Sequence, residues 1–139
     1  MVLVDTSAWI EFFRRDGDPA VKLAMQALIR ELQATLCGPV EMEFLGGARP
    51  HERSRIQSRF DILPYLNNDQ KIWREAAGHY ATLRESGTTL PWNDVIIATL
   101  AIREGCRAYA VDSHFETMGQ QLGLRLYRPG YNGSFQPEK

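Results

Sequence analysis

Short apolar runs alternate with longer stretches of helical periodicity along this chain. Met1 to Val4 is an apolar run ending at Asp5, and Asp-Thr-Ser then supplies N-cap residues for a helix through Trp9, Ile10 and Phe13. Gly17 stops that helix. Asp18-Pro19, a cap followed by proline at the first helical position, opens a second one with Val21, Leu28 and Leu32 at helical spacing. Ala34 to Cys37 reads as a buried strand broken by Gly38-Pro39. Val40 to Leu45 then restarts a helix that Gly46-Gly47 weakens or ends, and it carries Glu41 and Glu43.

Farther on, His51 to Phe60 is polar and helical, and Ile62 to Leu66 holds a third strand despite Pro64. Asn67-Asn68-Asp69 caps a helix marked by Ile72, Ala76, Tyr80 and Leu83, which Gly87 closes. Trp92-Asn93-Asp94 leads an apolar helix from Val95 to Ile102, ended by Gly105. Ala108 to Val111 is a fourth strand ending at Asp112, and Leu124 to Tyr127 is a fifth. Strands alternating with helices imply an α/β fold, a parallel sheet flanked by helices on both faces. The expected division is one domain over residues 1–128 and a loosely held tail over 129–139, rich in Gly, Pro and polar residues.

Length and composition set bounds without naming a function. A chain of 139 residues, 44% hydrophobic and 24% charged, is an ordinary single globular domain. Its longest apolar-looking stretch, Val95 to Ile102, is far short of the roughly 20 residues that span a bilayer, and the N-terminus lacks the pattern of a secretory signal. A cytoplasmic protein is expected. Cys37 and Cys106 have no metal-binding spacing and read as small core residues.

The chemistry lies in the acidic residues that follow the strands. In an open parallel sheet, ligands bind beyond the carboxyl ends of the strands, near the point where strand order reverses. Asp5 and Asp112 each follow a predicted strand, Asp94 starts the helix leading into the Asp112 strand, and Glu43 comes after strand two, so all four can converge on one cleft. Carboxylates with no thiol or imidazole partners form an oxygen-ligand site suited to Mg²⁺ or Mn²⁺ rather than Zn²⁺. Four such charges at contact distance repel by about 4 kcal/mol per pair at an effective dielectric near 20, so a cation must compensate them. Bound Mg²⁺ supports phosphodiester hydrolysis by activating a water and stabilising the leaving oxygen.

Each residue also has a plainer role open to it. Asp5 and Asp94 fit helix caps, Asp112 fits a turn with Ser113, and Glu43 fits an exposed helical position. Trp9 and Trp92 read as core residues before base-stacking platforms. The net charge of −1 argues against a nucleic-acid partner, but thirteen of the sixteen basic residues are arginine, and setting four acids aside as metal ligands turns −1 into +3. Arg49, Arg53, Arg55 and Arg59 cluster near His51 and are candidate RNA or partner contacts, or simply a solvated helix face.

The order of four short motifs is more specific than any one residue. Val4-Asp5-Thr6-Ser7-Ala8-Trp9-Ile10, Glu43-Phe44-Leu45-Gly46-Gly47-Ala48, Leu90-Pro91-Trp92-Asn93-Asp94-Val95-Ile96-Ile97-Ala98 and Asp112-Ser113-His114-Phe115 follow one another at fitting intervals. In this the sequence resembles VapC-type PIN-domain proteins over nearly its whole length. The resemblance implies a divalent-metal-dependent endoribonuclease, the toxin of a toxin-antitoxin pair, acting as a homodimer and neutralised by a VapB-like antitoxin. Carried over residue by residue, it makes Asp5, Glu43, Asp94 and Asp112 the acidic quartet around one or two metals, with the Thr6 hydroxyl near a metal or phosphate and Ser7 the second choice. Glu43 is preferred to Glu41 because the Gly-Ala after it fits the family's spacing. Where many relatives have an acid or amide two residues after the last aspartate, this chain has His114, a candidate substrate contact.

Two other readings compete. A haloacid-dehalogenase-like phosphohydrolase also places a nucleophilic aspartate after the first strand, but wants an acid two residues later, where Ser7 stands. A PIN-like module that binds RNA or a partner without cutting is the other, and the intact quartet argues against it.

Overall fold

The computed structural model describes residues 1–138. Four strands form a parallel sheet: β1 (Val2–Val4), β2 (Ala34–Cys37), β3 (Tyr65–Leu66) and β4 (Arg107–Tyr109). Seven helices connect and cover them: α1 (Thr6–Phe13), α2 (Pro19–Arg30), α3 (Gly38–Gly47), α4 (Pro50–Phe60), α5 (Gln70–Glu85), α6 (Trp92–Glu104) and α7 (His114–Leu122). The strand order is β3-β2-β1-β4, with Leu3 opposite Thr35 on one side and Ala108 on the other. Chain progression therefore reverses at β1, and the crevice between the carboxyl ends of β1 and β4 is the switch point where such sheets bind ligands. β1 and β2 are buried at every position, as strands covered on both faces must be. Among the described residues, no helix is long and apolar enough to cross a membrane.

Local chemistry accounts for the helix starts. Asp5, Asp18 and Asp69 accept backbone N–H bonds at the first turns of α1, α2 and α5. Gly105 and Gly123 adopt the left-handed conformation that ends α6 and α7. An aromatic cluster fixes α1 against α3 and α4: Phe13 lies 5.2 Å from Phe44, and Trp9 lies 5.2 Å from Phe60. Phe44 thus anchors the inner side of α3 while its neighbour Glu43 is left exposed. Both cysteines are buried and free.

The expected third strand lies within Ile62 to Leu66, two residues long, because Pro64 cannot donate into the ladder; its carbonyl instead accepts from Leu36 N–H. Three expectations are corrected. The fourth strand stops at Tyr109, so Asp112 sits three residues beyond it in the turn before α7, the chain having left the sheet to bond Val111 N–H to the Ser7 hydroxyl. Leu124 to Tyr127 is not a full strand but a single parallel bridge, Ala108 to Leu126. The segment after Pro129 is not loose. Phe135 stacks on Tyr127 at 6.1 Å, the Tyr127 hydroxyl accepts from Gln136 N–H, and Gly133 comes so close to Ala24 and Leu23 of α2 that no side chain fits there.

Candidate active site

Asp5, at the end of β1, is 3% exposed, and its Oδ2 accepts from Ser7 N–H at 3.1 Å and Ser7 Oγ at 2.6 Å. It caps α1 and faces the cleft at once. Ser7 Oγ in turn accepts from Val111 N–H at 3.0 Å, tying the end of β1 to the loop that carries Asp112. Ser7, the second choice from sequence, is therefore the hydroxyl in contact with Asp5. The Thr6 hydroxyl is buried with no hydrogen-bond partner and touches none of the carboxylates by a hydrogen bond, because the first turn of α1 rotates it away from the cap.

Asp94 sits in the first turn of α6, 7% exposed, and does not cap that helix; the N-cap is Pro91, without a side-chain bond. Its Oδ2 lies 2.7 Å from His114 Nδ1, which is also 3.1 Å from Asp112 Oδ1. Asp112 Oδ1 further accepts from His114 N–H at 2.9 Å. Ligand atoms of Asp94, Asp112 and His114 all lie within 4.8 Å of one another, close enough to share one cation. Glu43 reaches the same region from α3, its Oε2 accepting from the Asn93 amide.

Electrostatics tie the quartet together. Burial pushes the Asp5 carboxyl up to about 6, against the hydrogen bonds from Ser7, and the charges of Asp94 and Glu43 push it in the same direction. Asp94 is also raised, by burial first, with Asp112 and Glu43 adding to the rise and His114 opposing it. Each carboxylate thus feels at least one other. His114 is raised chiefly by its hydrogen bond to Asp94. The structure places this imidazole between two carboxylates, whose contact favours its protonated form.

The donor set fits a hard divalent cation. Three carboxylates at strand and helix ends and a fourth from α3 offer oxygen ligands, the two aspartates nearest the switch point are mostly buried, and charge is imperfectly balanced by a single imidazole. His114 is the one nitrogen among them, an addition no acidic pattern anticipates.

Two sequence assignments change in the surroundings. Trp9 is in the core at 1% exposure, but Trp92, expected there too, is 61% exposed, because the first residue of α6 projects past the helix end. Asn93, which holds Glu43, reads from sequence only as part of a cap; its position beside Asp94 is the available signal. Arg49, Arg53, Arg55 and Arg59 are all exposed, and among the described residues none forms an ion pair.

Comparison with known proteins agrees with this geometry. The model of the PIN domain family matches residues 2–120, most of the chain. The chain belongs to the PIN domain family, in the branch of the VapC ribonucleases. It is 37% identical over 129 residues to ribonuclease VapC11 of Mycobacterium tuberculosis, a match spanning 90% of this chain and 96% of that protein. VapC ribonuclease Mb1587 of Mycobacterium bovis is similar to the same degree. Among solved structures, FitAcB from Neisseria gonorrhoeae superposes with a TM-score of 0.74 at 16% identity, covering 92% of this chain and 97% of that one. VapBC2 from Rickettsia felis superposes with a TM-score of 0.70 at 17% identity, covering 91% and 97%. At those identities the structural likeness speaks to fold.

Proposed function

We propose that this protein is an endoribonuclease toxin that hydrolyses RNA phosphodiester bonds with a divalent cation, Mg²⁺ or its substitute Mn²⁺, held by Asp5, Glu43, Asp94 and Asp112. The observation that carries the reading is the grouping of Asp94 and Asp112 with His114 within 4.8 Å of one another, with Asp5 at a strand end and Glu43 on α3 near enough for their charges to act within the same cluster. A divalent cation bound there supplies the charge that holds a phosphate among carboxylates and acidifies a water. The chain's own residues do the rest: Ser7 and the Asp5 cap fix one wall, Asn93 orients Glu43, and His114 keeps Asp94 and Asp112 at their spacing.

The partner belongs to the same reading. VapBC-5 of Mycobacterium tuberculosis is a member of the VapBC family of toxin-antitoxin systems, VapBC2 of Rickettsia felis binds a DNA fragment from its promoter, and the likeness to both, with the VapC relationship, supports a VapB-like antitoxin as partner. The homodimer rests on the family relationship alone. The unpaired arginines of α4 are the cationic surface available to RNA or to an acidic antitoxin segment.

Incubation of the purified protein with structured RNA tests the reading. Cleavage with Mg²⁺ or Mn²⁺ and none in excess chelator is the expected result, and undiminished cleavage in chelator would overturn it. A generic phosphate monoester should be untouched.

A further inference from the structure

Among the described residues, Asp94, Asp112 and His114 are the metal-ligating side chains that gather within 4.8 Å of one another, and the third is a nitrogen donor in a set otherwise made of carboxylates. Its position is the informative part. His114 Nδ1 lies 2.7 Å from Asp94 Oδ2 and 3.1 Å from Asp112 Oδ1. Ligands at right angles on an octahedral cation with bonds of about 2.1 Å stand about 3 Å apart. The nitrogen is therefore spaced from both carboxylates as one ligand is spaced from its neighbours. A single hydrogen bond would fix one of these separations and leave the other free.

The backbone holds that spacing. His114 opens α7, and its own N–H donates to Asp112 Oδ1 at 2.9 Å, so ring and carboxylate are carried by one turn of the chain. Asp94 is fixed independently in the first turn of α6. Its side chain is 10% exposed, whereas those of Asp112 and His114 are each 36% exposed. The cluster is thus closed at Asp94 and open toward solvent at the other two, where a cation enters and where water or phosphate completes its shell.

We propose that His114 Nδ1 is a metal ligand and that it makes this site selective for Mn²⁺ over Mg²⁺. The inference rests on the divalent cation of the proposed function, and it adds which ion the chain is built to hold. An all-carboxylate set suits Mg²⁺, a hard ion that takes oxygen donors and gives up its waters reluctantly. An imidazole nitrogen favours first-row transition ions, and Mn²⁺ is one that also accepts an octahedral, carboxylate-rich set. On binding, Nδ1 gives its lone pair to the cation, the ring keeps one proton on Nε2, and any second proton passes to solvent.

Pulsed electron paramagnetic resonance of the full-length protein with limiting Mn²⁺ reads the ligand directly, without RNA and without turnover. The wild type should show the modulation of a directly bound imidazole nitrogen, and ¹⁵N labelling of the histidines should change it. The signal should vanish in His114→Asp, which replaces the nitrogen by an oxygen ligand. It should persist in His51→Gln and His79→Gln, the chain's other two histidines, so the assignment stands whether or not the His114 variant folds. Competition between the two ions gives a second readout. The ratio of the Mg²⁺ to the Mn²⁺ dissociation constant should fall by about tenfold or more in His114→Asp, the scale on which one side chain at a metal site changes affinity.

Mn²⁺ bound through oxygen ligands alone would overturn the proposal, as would a nitrogen signal that survives His114→Asp or a ratio that the substitution leaves unchanged. Those outcomes would leave metal-dependent RNA cleavage standing. Nitrogen-ligated Mn²⁺ in a protein that cleaves no RNA would instead retain the ligand and remove the ribonuclease reading. A chain that binds neither ion would overturn both.

Discussion

His114 Nδ1 lies 2.7 Å from Asp94 Oδ2, and the same nitrogen is 3.1 Å from Asp112, so one imidazole holds together two carboxylates that come from opposite ends of the α6–β4 unit. In the protein without metal this contact is the main relief of their repulsion. His114→Gln keeps a hydrogen-bond donor and removes the charge. The metal-free variant should melt below the wild type by the equivalent of about 1 kcal/mol, a half-exposed ion pair being worth no more. Saturating Mg²⁺ should narrow the gap, because the cation takes over the compensation. A gap of the same size with and without metal would place His114 outside the metal's reach.

Glu43 and Glu41 sit two positions apart on α3 and so face different directions. Glu43 meets Asn93 and raises the proton affinity of both Asp5 and Asp94; Glu41 instead acts on Tyr65 at the sheet edge. Glu43→Gln should therefore lower cleavage by more than tenfold, and Glu41→Gln should change it by less than about twofold. Initial rates on one RNA under saturating Mg²⁺ decide it, and the reverse order would move the catalytic glutamate.

Metal-free stability should fall as pH rises from about 4 to 7. The folded Asp5 carboxyl is raised from 3.8 to about 6, so between those values the native state binds more protons than the unfolded chain, and stability drops with pH across that window. His114 is raised as well, so its contribution is full below 6.5 and is lost as pH climbs through its folded value. The two add in the same direction. Asp5 alone can account for up to about 3 kcal/mol, at 1.36 kcal/mol per pH unit. Chemical denaturation in chelator at pH 5 and pH 7 measures the difference, and a protein more stable at pH 7 would contradict the assigned burial of Asp5.

Much of this arrangement is legible in the sequence. The apolar run ending at Asp5, the Pro19 start of α2 and the Gly105 stop of α6 are local signals, and local signals fix helix ends and central strands. Convergence of the acids followed from the rule that parallel sheets bind ligands at their carboxyl ends. What escaped depends on tertiary geometry. That Ser7 and not Thr6 bonds Asp5 follows from the roughly 100° of helix rotation between adjacent residues at the cap. The shortening of β4 is made by a bond between Val111 and Ser7, 104 residues apart in the chain. Trp92 reads as core by composition, yet its place at the first residue of α6 leaves it uncovered. The docking of the tail depends on Tyr127 and Phe135 finding each other, which no periodicity encodes.

Asp94→Asn separates the metal site from the fold. Asp94 does not cap α6, so the substitution costs no N-cap bond, and asparagine still offers an oxygen to His114 at the same position. The wild-type carboxyl is raised in proton affinity even with His114 beside it, which means the surroundings as a whole disfavour its charge at neutral pH. Removing that charge should make the metal-free protein as stable as wild type or more so. Wild type should gain about 2.7 kcal/mol when free Mg²⁺ is a hundredfold above its dissociation constant, and the variant should gain markedly less, with cleavage abolished. Thermal melts of both proteins in chelator and in Mg²⁺ read all three quantities against one another. If Asp94→Asn melts clearly lower without metal and still shows the full wild-type gain with it, Asp94 holds His114 in place for the sake of the fold, and the cation is bound by other residues.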